Sequence, residues 1–250
     1  MPDRGSSKGP SKVALVVGGS GTLGGAICRS LAQADYAVGV HYTASADRAD
    51  AVRRQCEDHG VAAVAAPADI ASWTEVEKLV DDVASQLGPI GVLVNAAAVR
   101  QDGLLATQPR EEWERTLEVN LLGVFHTCRK VLPDMVARRW GRIVNVVSPI
   151  GLGGNPGQTA YAASKAGVVA LTRSLALECG RRGVTANAVS PGFMDSALVA
   201  GLRDDVREGL IARTAIRRPV DPDEVAAAVR LVVANAALTG AVIPVDGGMS

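Results

Sequence analysis

A chain of 250 residues is long enough for one α/β domain with a substantial buried core, and nothing in that length calls for two. Apolar residues make up 48% and charged residues 21%, with a formal net charge of +0, so the sequence lacks the positive field that holds nucleic acid nonspecifically. No apolar run approaches the roughly 18 residues of a membrane span, and the polar opening MPDRGSSKGPSK has no secretory core.

These features predict a cytoplasmic protein with a disordered tail over residues 1–11 and a single domain over 12–250. Cys28, Cys56, Cys128 and Cys179 are far apart, with no C-x-x-C pair and no nearby histidine. They read as free thiols, and no metal site is expected.

After the tail, short apolar runs alternate with helical patterns. KVALVV precedes a helix over 22–34, YAVGVHY one over 46–59, VAAVAA one over 73–87 and IGVLVN one over 111–138. GRIVNVVS then leads to a helix over 158–181, VTANAVS to two further helical segments, and GAVIPVD closes the series. Strands that are almost continuously apolar and separated by helices belong in a parallel sheet covered on both faces. The expected fold is a single doubly wound, Rossmann-type α/β domain of about seven strands. Gly60, Gly88, Gly141 and Gly183 fall between a helical pattern and the next strand, where a left-handed C-cap residue is wanted.

The first turn, VGGSGTLGG, admits three registers of a phosphate-binding loop: Gly19-x-Gly21-x-x-Gly24, Gly18-x-x-Gly21-x-x-Gly24, and Gly18-x-x-x-Thr22-x-Gly24. A glycine-rich strand-to-helix turn also serves simply to pack a helix on a sheet, so the loop alone decides nothing. An acid that would bind an adenosine ribose is expected about 20 residues on. The second strand ends instead in His41, Tyr42 and Thr43. Nothing there repels a 2′-phosphate, which favours NADP and leaves NAD open; Arg48 or backbone near Thr43 would supply the phosphate contact.

Further along, TAYAASKAG sets Tyr161 and Lys165 four residues apart on one helix face. A phenol with a pKa near 10 is a poor acid–base at neutral pH, and a neighbouring cation favours its ionised form. Ser148 lies thirteen residues before Tyr161, at the carboxyl end of RIVNVVS, where ligands of open α/β sheets bind. Asn120 interrupts the amphipathic pattern of WERTLEVNLLGVF. Taken singly, a surface Tyr–Lys pair or a solvated Asn is an adequate explanation; the combination points to carbonyl chemistry.

From about residue 12 to 249 the sequence resembles the short-chain dehydrogenase/reductase family, most closely its 3-oxoacyl-[acyl-carrier-protein] reductases. The resemblance is carried by GRIVNVVSPIGLGGNPGQTAYAASKAGVVALTRSLALE, the spacing from Trp113 to Asn120, NAVSPGFMDS and the terminal VDGG. It implies that Tyr161 is the general acid of reduction, that Lys165 lowers its pKa and binds the nicotinamide ribose, that Ser148 orients the carbonyl and that Asn120 holds a relay water. It also selects the third register: Gly18 and Gly24 become anchors, with Ser20, Gly21 and Leu23 at the phosphates. Asp69 would bind the adenine with Ile70 beside it, Thr43, Asn95 and Ala97 would also contact the cofactor, and Pro191, Gly192, Met194 and Ser196 would line the carboxamide.

Two departures stand out. Thr22 replaces a family glycine and is a poor fit if that position needs positive φ, although Gly21 can take over the turn. Asn95-Ala96-Ala97-Ala98 replaces the family's N-N-A-G. Both touch cofactor affinity more than chemistry.

The reaction implied is NADPH-dependent reduction of a 3-oxoacyl thioester on an acyl-carrier protein, in fatty-acid or polyketide-type biosynthesis. Alternatives are reduction of a small free ketone (sugar, steroid or xenobiotic) and a cofactor-binding protein without turnover. An acidic carrier needs a basic landing area near the active-site mouth, for which Arg138, Arg139, Arg181 and Arg182 are candidates; basic residues in a last helical turn equally complement the helix dipole. Residues 194–215 are expected to form a lid, and a homotetramer through the helices at 111–138 and 158–181 and the final strand is implied by the family, although a monomer is compatible with the sequence.

Overall fold

A computed structural model describes residues 11–194 and 203–249. Seven parallel strands form one sheet in the order β3-β2-β1-β4-β5-β6-β7. They are β1 (Val13–Val17), β2 (Ala37–Tyr42), β3 (Ala63–Pro67), β4 (Val92–Asn95), β5 (Gly141–Val146), β6 (Val184–Pro191) and β7 (Val242–Val245). Alternate residues of one strand serve opposite cores: Val13, Leu15 and Val17 face one layer, Ala14 and Val16 the other. That two-sided burial is why these strands read as unbroken apolar runs.

One face is covered by α1 (Thr22–Ala32), α2 (Ala46–Glu57) and α9 (Pro222–Ala234). The other carries α3 (Trp73–Leu87), α5 (Gly123–Arg138) and α7 (Thr159–Cys179). Shorter helices α4 (Arg110–Leu117), α6 (Ile150–Gly153) and α8 (Asp204–Ala212) cluster around the carboxyl ends of the strands. The sheet grows in opposite directions from β1, to β2 on one side and β4 on the other, so a crevice opens where their carboxyl ends diverge.

The helix expected over 111–138 is two helices joined by a π-helical turn, Glu118–Leu122. The break coincides with Asn120 turning inward to bond backbone outside the helix, and with Gly123, where a Cβ would lie 2.7 Å from the Ile70 side chain. Helix α6 was not foreseen in the sequence. The C-cap expected at Gly141 is also corrected: Arg139 takes the left-handed conformation at φ 56°, while Gly141 opens β5 against Met135. The four cysteines are buried free thiols. Among the described residues no helix is long and apolar enough to cross a membrane, and no cluster of three or more His, Cys, Asp or Glu is disposed to hold a metal ion.

The first turn is governed by two contacts. Gly18 has φ 81° and backs onto the Ala97 backbone, and a Cβ on Gly24 would stand 2.0 Å from the Gly18 carbonyl oxygen. Thr22 is not strained, because it opens α1 in ordinary helical geometry; Gly21 has φ −80° and needs no positive φ either. Gly24→Ala is therefore expected to destabilise the fold by about 2 kcal/mol or more, whereas Thr22→Gly costs under about 1 kcal/mol. Thermal melts of the two variants, compared with the parent, check this ordering.

Candidate active site

Tyr161 and Lys165 lie one turn apart on α7, and Lys165 points into the protein with only 3% exposure. Its Nζ donates to the Val146 carbonyl at 2.9 Å and lies 5.6 Å from the Tyr161 ring centroid. Val146 ends β5, so the last carbonyl of that strand fixes the ammonium. Ser148, two residues on, accepts the Ile150 N–H and lies close enough to the Tyr161 hydroxyl to favour its ionised form. Helix α6 presses on this face: a Cβ on Gly151 would come within 2.8 Å of the Lys165 Cβ.

Burial dominates both protonation equilibria. It raises the Tyr161 pKa above the usual phenol value, against the Ser148 hydroxyl and the charge of Arg100, with Asp102 adding to the rise. The net lowering expected from Lys165 is thus corrected: in this structure Tyr161 rests as a neutral phenol. Burial alone pulls Lys165 down to about 8, leaving it mainly cationic at neutral pH. A neutral phenol with a fixed hydroxyl neighbour is a proton donor, and a cation beneath it stabilises the negative charge left when the proton goes.

Asn120 is fully buried. Its Oδ1 accepts the Val99 N–H and its Nδ2 donates to the Val99 carbonyl, both at 2.8 Å, so the side chain clasps the segment that follows β4. That segment brings in groups the sequence reading missed. Arg100 pairs with Asp102 at 3.2 Å, and Gln158 donates to both Asp102 oxygens at 3.0 and 3.1 Å. All three line the same cleft as Tyr161. The signal available was the polar run Val99-Arg100-Gln101-Asp102 after a strand in a switch-point fold.

The cleft measures about 1030 Å³ and runs from the glycine turn to Tyr161. Gly18, Ser20, Gly21, Leu23 and Gly24 border one end, with Thr43, Asp69, Ile70 and Ala97 beside them. Pro191, Gly192 and Met194 border the other end with Ser148 and Lys165; Ser196 lies outside the described residues. The Gly192 N–H donates to the Val245 carbonyl, and a Cβ there would meet Asp246, so VDGG is the support under PGF.

Asn95 is a correction. Its side chain does not border the cleft; its Nδ2 donates to Asn145 at 2.9 Å and its Oδ1 accepts from Thr127 at 2.8 Å. A strand-end amide facing the α5–α7 layer must find internal partners, and it does so there. Ala98, in place of the family's glycine, has no positive φ and is unstrained. Asp69 is already engaged, accepting from Arg115 at 2.8 Å and from the Ala71 N–H at 3.0 Å.

Does a nicotinamide dinucleotide fit? Helix α1 has no side-chain cap at its N-terminus and no acid in its first turn. Its leading N–H groups and positive dipole end therefore face the cleft without an internal anion, beside glycines whose missing Cβ atoms allow close approach. This arrangement suits a pyrophosphate.

The four arginines proposed to dock a carrier are elsewhere. None borders the cleft. Arg138 ends α5 and pairs with Asp134; Arg139 donates to the Arg181 carbonyl; Arg181 and Arg182 lie in the turn before β6. They sit at the amino ends of β5 and β6, a strand length of roughly 20 Å from Ser148. The expected position near the mouth of the chain's own cleft is thus corrected: the strands carry these residues to the opposite edge.

Comparison with known proteins agrees with this geometry. Residues 12–207 match the short chain dehydrogenase family model. The chain is 39% identical to the 3-oxoacyl-[acyl-carrier-protein] reductase FabG of Staphylococcus epidermidis over 96% of its length and 99% of that protein's. The Staphylococcus aureus FabG is also 39% identical, over 96% and 98%. Nodulation protein G of a Rhizobium species is 38% identical over 95% and 96%. The protein belongs to the short-chain dehydrogenase family and is an NAD(P)-dependent oxidoreductase.

Proposed function

We propose that this protein reduces 3-oxoacyl thioesters, carried on an acyl-carrier protein, to 3-hydroxyacyl thioesters with NADPH. The observation that supports it most is the meeting of Tyr161, Ser148 and Lys165 in a cleft that also contains the glycine turn. The FabG relatives supply the substrate class. NADPH is favoured because the end of β2 presents His41, Tyr42 and Thr43 instead of a carboxylate. Arg48, bonded to Ser45, borders the same end of the cleft as a cation for a 2′-phosphate.

When bound, the cofactor supplies the hydride. The protein's own residues hold the carbonyl at Ser148, give it the Tyr161 proton and balance the resulting phenolate with Lys165. The relay-water position expected for the Asn120 side chain is corrected: fully buried, with both ends of its amide committed to Val99 and outside the cleft lining, it braces the segment after β4. The expected lid is represented in the described residues by Val206, Leu210 and Arg213, which border the cleft from α8 and just beyond it. A second reading, reduction of a small polar ketone, is favoured by the Arg100–Asp102–Gln158 set beside Tyr161. Comparing kcat/KM on a carrier-bound and a free ketone separates the two.

The carrier reading draws on assembly into the homotetramer that the family resemblance implies. Leu122 at the end of the π-helical turn, Phe125 on α5 and Leu177 on α7 are exposed apolar side chains suited to a subunit contact. An antiparallel pairing of α5 and α7 across a two-fold axis would bring Arg139 and Arg182 of one copy towards the cleft of the next.

Tyr161→Phe is expected to lower kcat by about 100-fold or more while leaving the NADPH Kd within about twofold; stopped-flow absorbance and fluorescence titration measure both. The sign of the pH dependence follows from Lys165. Held at about 8, it is charged below that pH and neutral above, so kcat/KM for reduction falls through an inflection near pH 8. A profile flat to pH 9.5 contradicts its role. Combined Arg139→Glu and Arg182→Glu should raise KM for the carrier-bound substrate about tenfold and leave a free thioester unaffected; equal kinetics on both would eliminate docking at these arginines.

A further inference from the structure

His41 does more than leave room for a phosphate. It is 1% exposed at the end of β2, and both ring nitrogens are engaged. The Gly18 N–H donates to Nδ1 at 2.9 Å, and Nε2 lies 3.0 Å from the Ala68 carbonyl. An amide N–H only donates and a carbonyl only accepts, so the partners themselves dictate the tautomer: Nδ1 bare, Nε2 protonated. The His41 carbonyl also accepts the Ser20 N–H at 3.3 Å. One residue thus holds two points of the glycine turn and, across the cleft, the backbone just before Asp69.

We propose that His41 is a positioning residue for the nicotinamide cofactor, a strut that ties the phosphate-facing turn at Gly18 to the adenosine wall at Ala68 and so sets the width of that end of the cleft. It touches no reacting atom. The claim rests on the reading of the cleft as a dinucleotide site and concerns how this chain holds it.

Protonation would break the strut, since a hydrogen on Nδ1 would point at the Gly18 N–H. The charged groups around this end of the cleft are Asp69, Arg115 of α4 bound to it, Glu75 of α3 and Arg48 of α2. Burial lowers the His41 pKa more than the Ala68 carbonyl and Asp69 raise it, so the ring stays neutral at pH 7 and charges only below its usual range. Cofactor affinity should therefore be full near neutrality and lost on acidification.

The test is a fluorescence titration of NADPH with the parent, His41→Leu and His41→Asn. Leu fills the space but leaves the buried Gly18 N–H without an acceptor; Asn places Oδ1 where Nδ1 stood and so keeps an acceptor for the Gly18 N–H without titrating. The Leu variant should bind NADPH about tenfold more weakly, with kcat at saturating cofactor within about threefold of the parent. Asn should recover most of that affinity. Near neutrality the parent and Asn profiles should coincide, and below the usual histidine range the parent should lose more affinity than the Asn variant, a comparison that cancels the titration of the ligand's own phosphate.

A Leu variant within twofold of the parent, an Asn variant as weak as Leu, or parent and Asn profiles that run parallel would each overturn the proposal. If the Leu variant does not fold, the parent–Asn pH comparison decides alone. Failure of the parent to bind either NADPH or NADH would instead remove the dinucleotide reading, so the two failures are distinguishable.

Discussion

The Gly18 carbonyl occupies the space where a side chain on residue 24 would be, and the cleft is built outward from that contact. Because Gly24 has no Cβ, α1 can begin directly over the end of β1. Gly18, turned back at φ 81°, can then rest on the Ala97 backbone after β4. Two loops that diverge at the switch point are thereby locked together at their base. The same geometry leaves α1 starting with no side-chain cap and no acid, so the close packing that stabilises the turn also creates its affinity for an anion.

At the other end the governing quantity is burial. A lysine at 3% exposure is costly to charge, which is why its pKa falls to about 8. The Val146 carbonyl offsets part of that cost by accepting from Nζ. Burial pushes the neighbouring phenol the other way, above its ordinary value. Tyr161 therefore keeps its proton at rest while Lys165 keeps its charge, and a proton donor above a cation is the pairing a carbonyl reduction needs. Ser148 belongs to the same arrangement because β5 ends two residues before it; strand length, as much as side-chain type, places the hydroxyl.

Much of this was legible in the sequence, and the reason is periodicity. Strands buried on both faces leave unmistakable apolar runs, and all seven were found. Tyr161 and Lys165 were legible because a four-residue spacing survives any correct helix assignment. What failed was whatever depends on direction instead of position. The apolar pattern continues through Glu118–Leu122, so nothing local announced the π turn; Asn120's partner, Val99, is 21 residues away. Asn95 has the right residue type at the right strand end, but it faces Asn145 and Thr127. His41 was read for the carboxylate it replaces, since its hydrogen bonds reach Gly18 and Ala68, 23 and 27 residues distant. Thr22 looked anomalous against a family glycine, yet the strain of the turn falls on Gly18.

The arginine pairs show the same limit at the scale of the whole molecule. Sequence spacing fixes Arg139 just before β5 and Arg182 just before β6, and a parallel sheet then commits both to the edge opposite Ser148. Within one chain, a carrier held by those arginines would have to deliver its thioester around the sheet. An exposed apolar stripe is confined to Leu122 and Phe125, where the π-helical turn passes into α5, with Leu177 near the far end of α7. Burying that stripe against an antiparallel copy would exchange the edges, placing one subunit's arginines beside the other's cleft. On the carrier reading, assembly and substrate recognition are therefore a single requirement: a subunit that cannot pair still has its acid, its cation and its glycine turn, but lacks the landing surface.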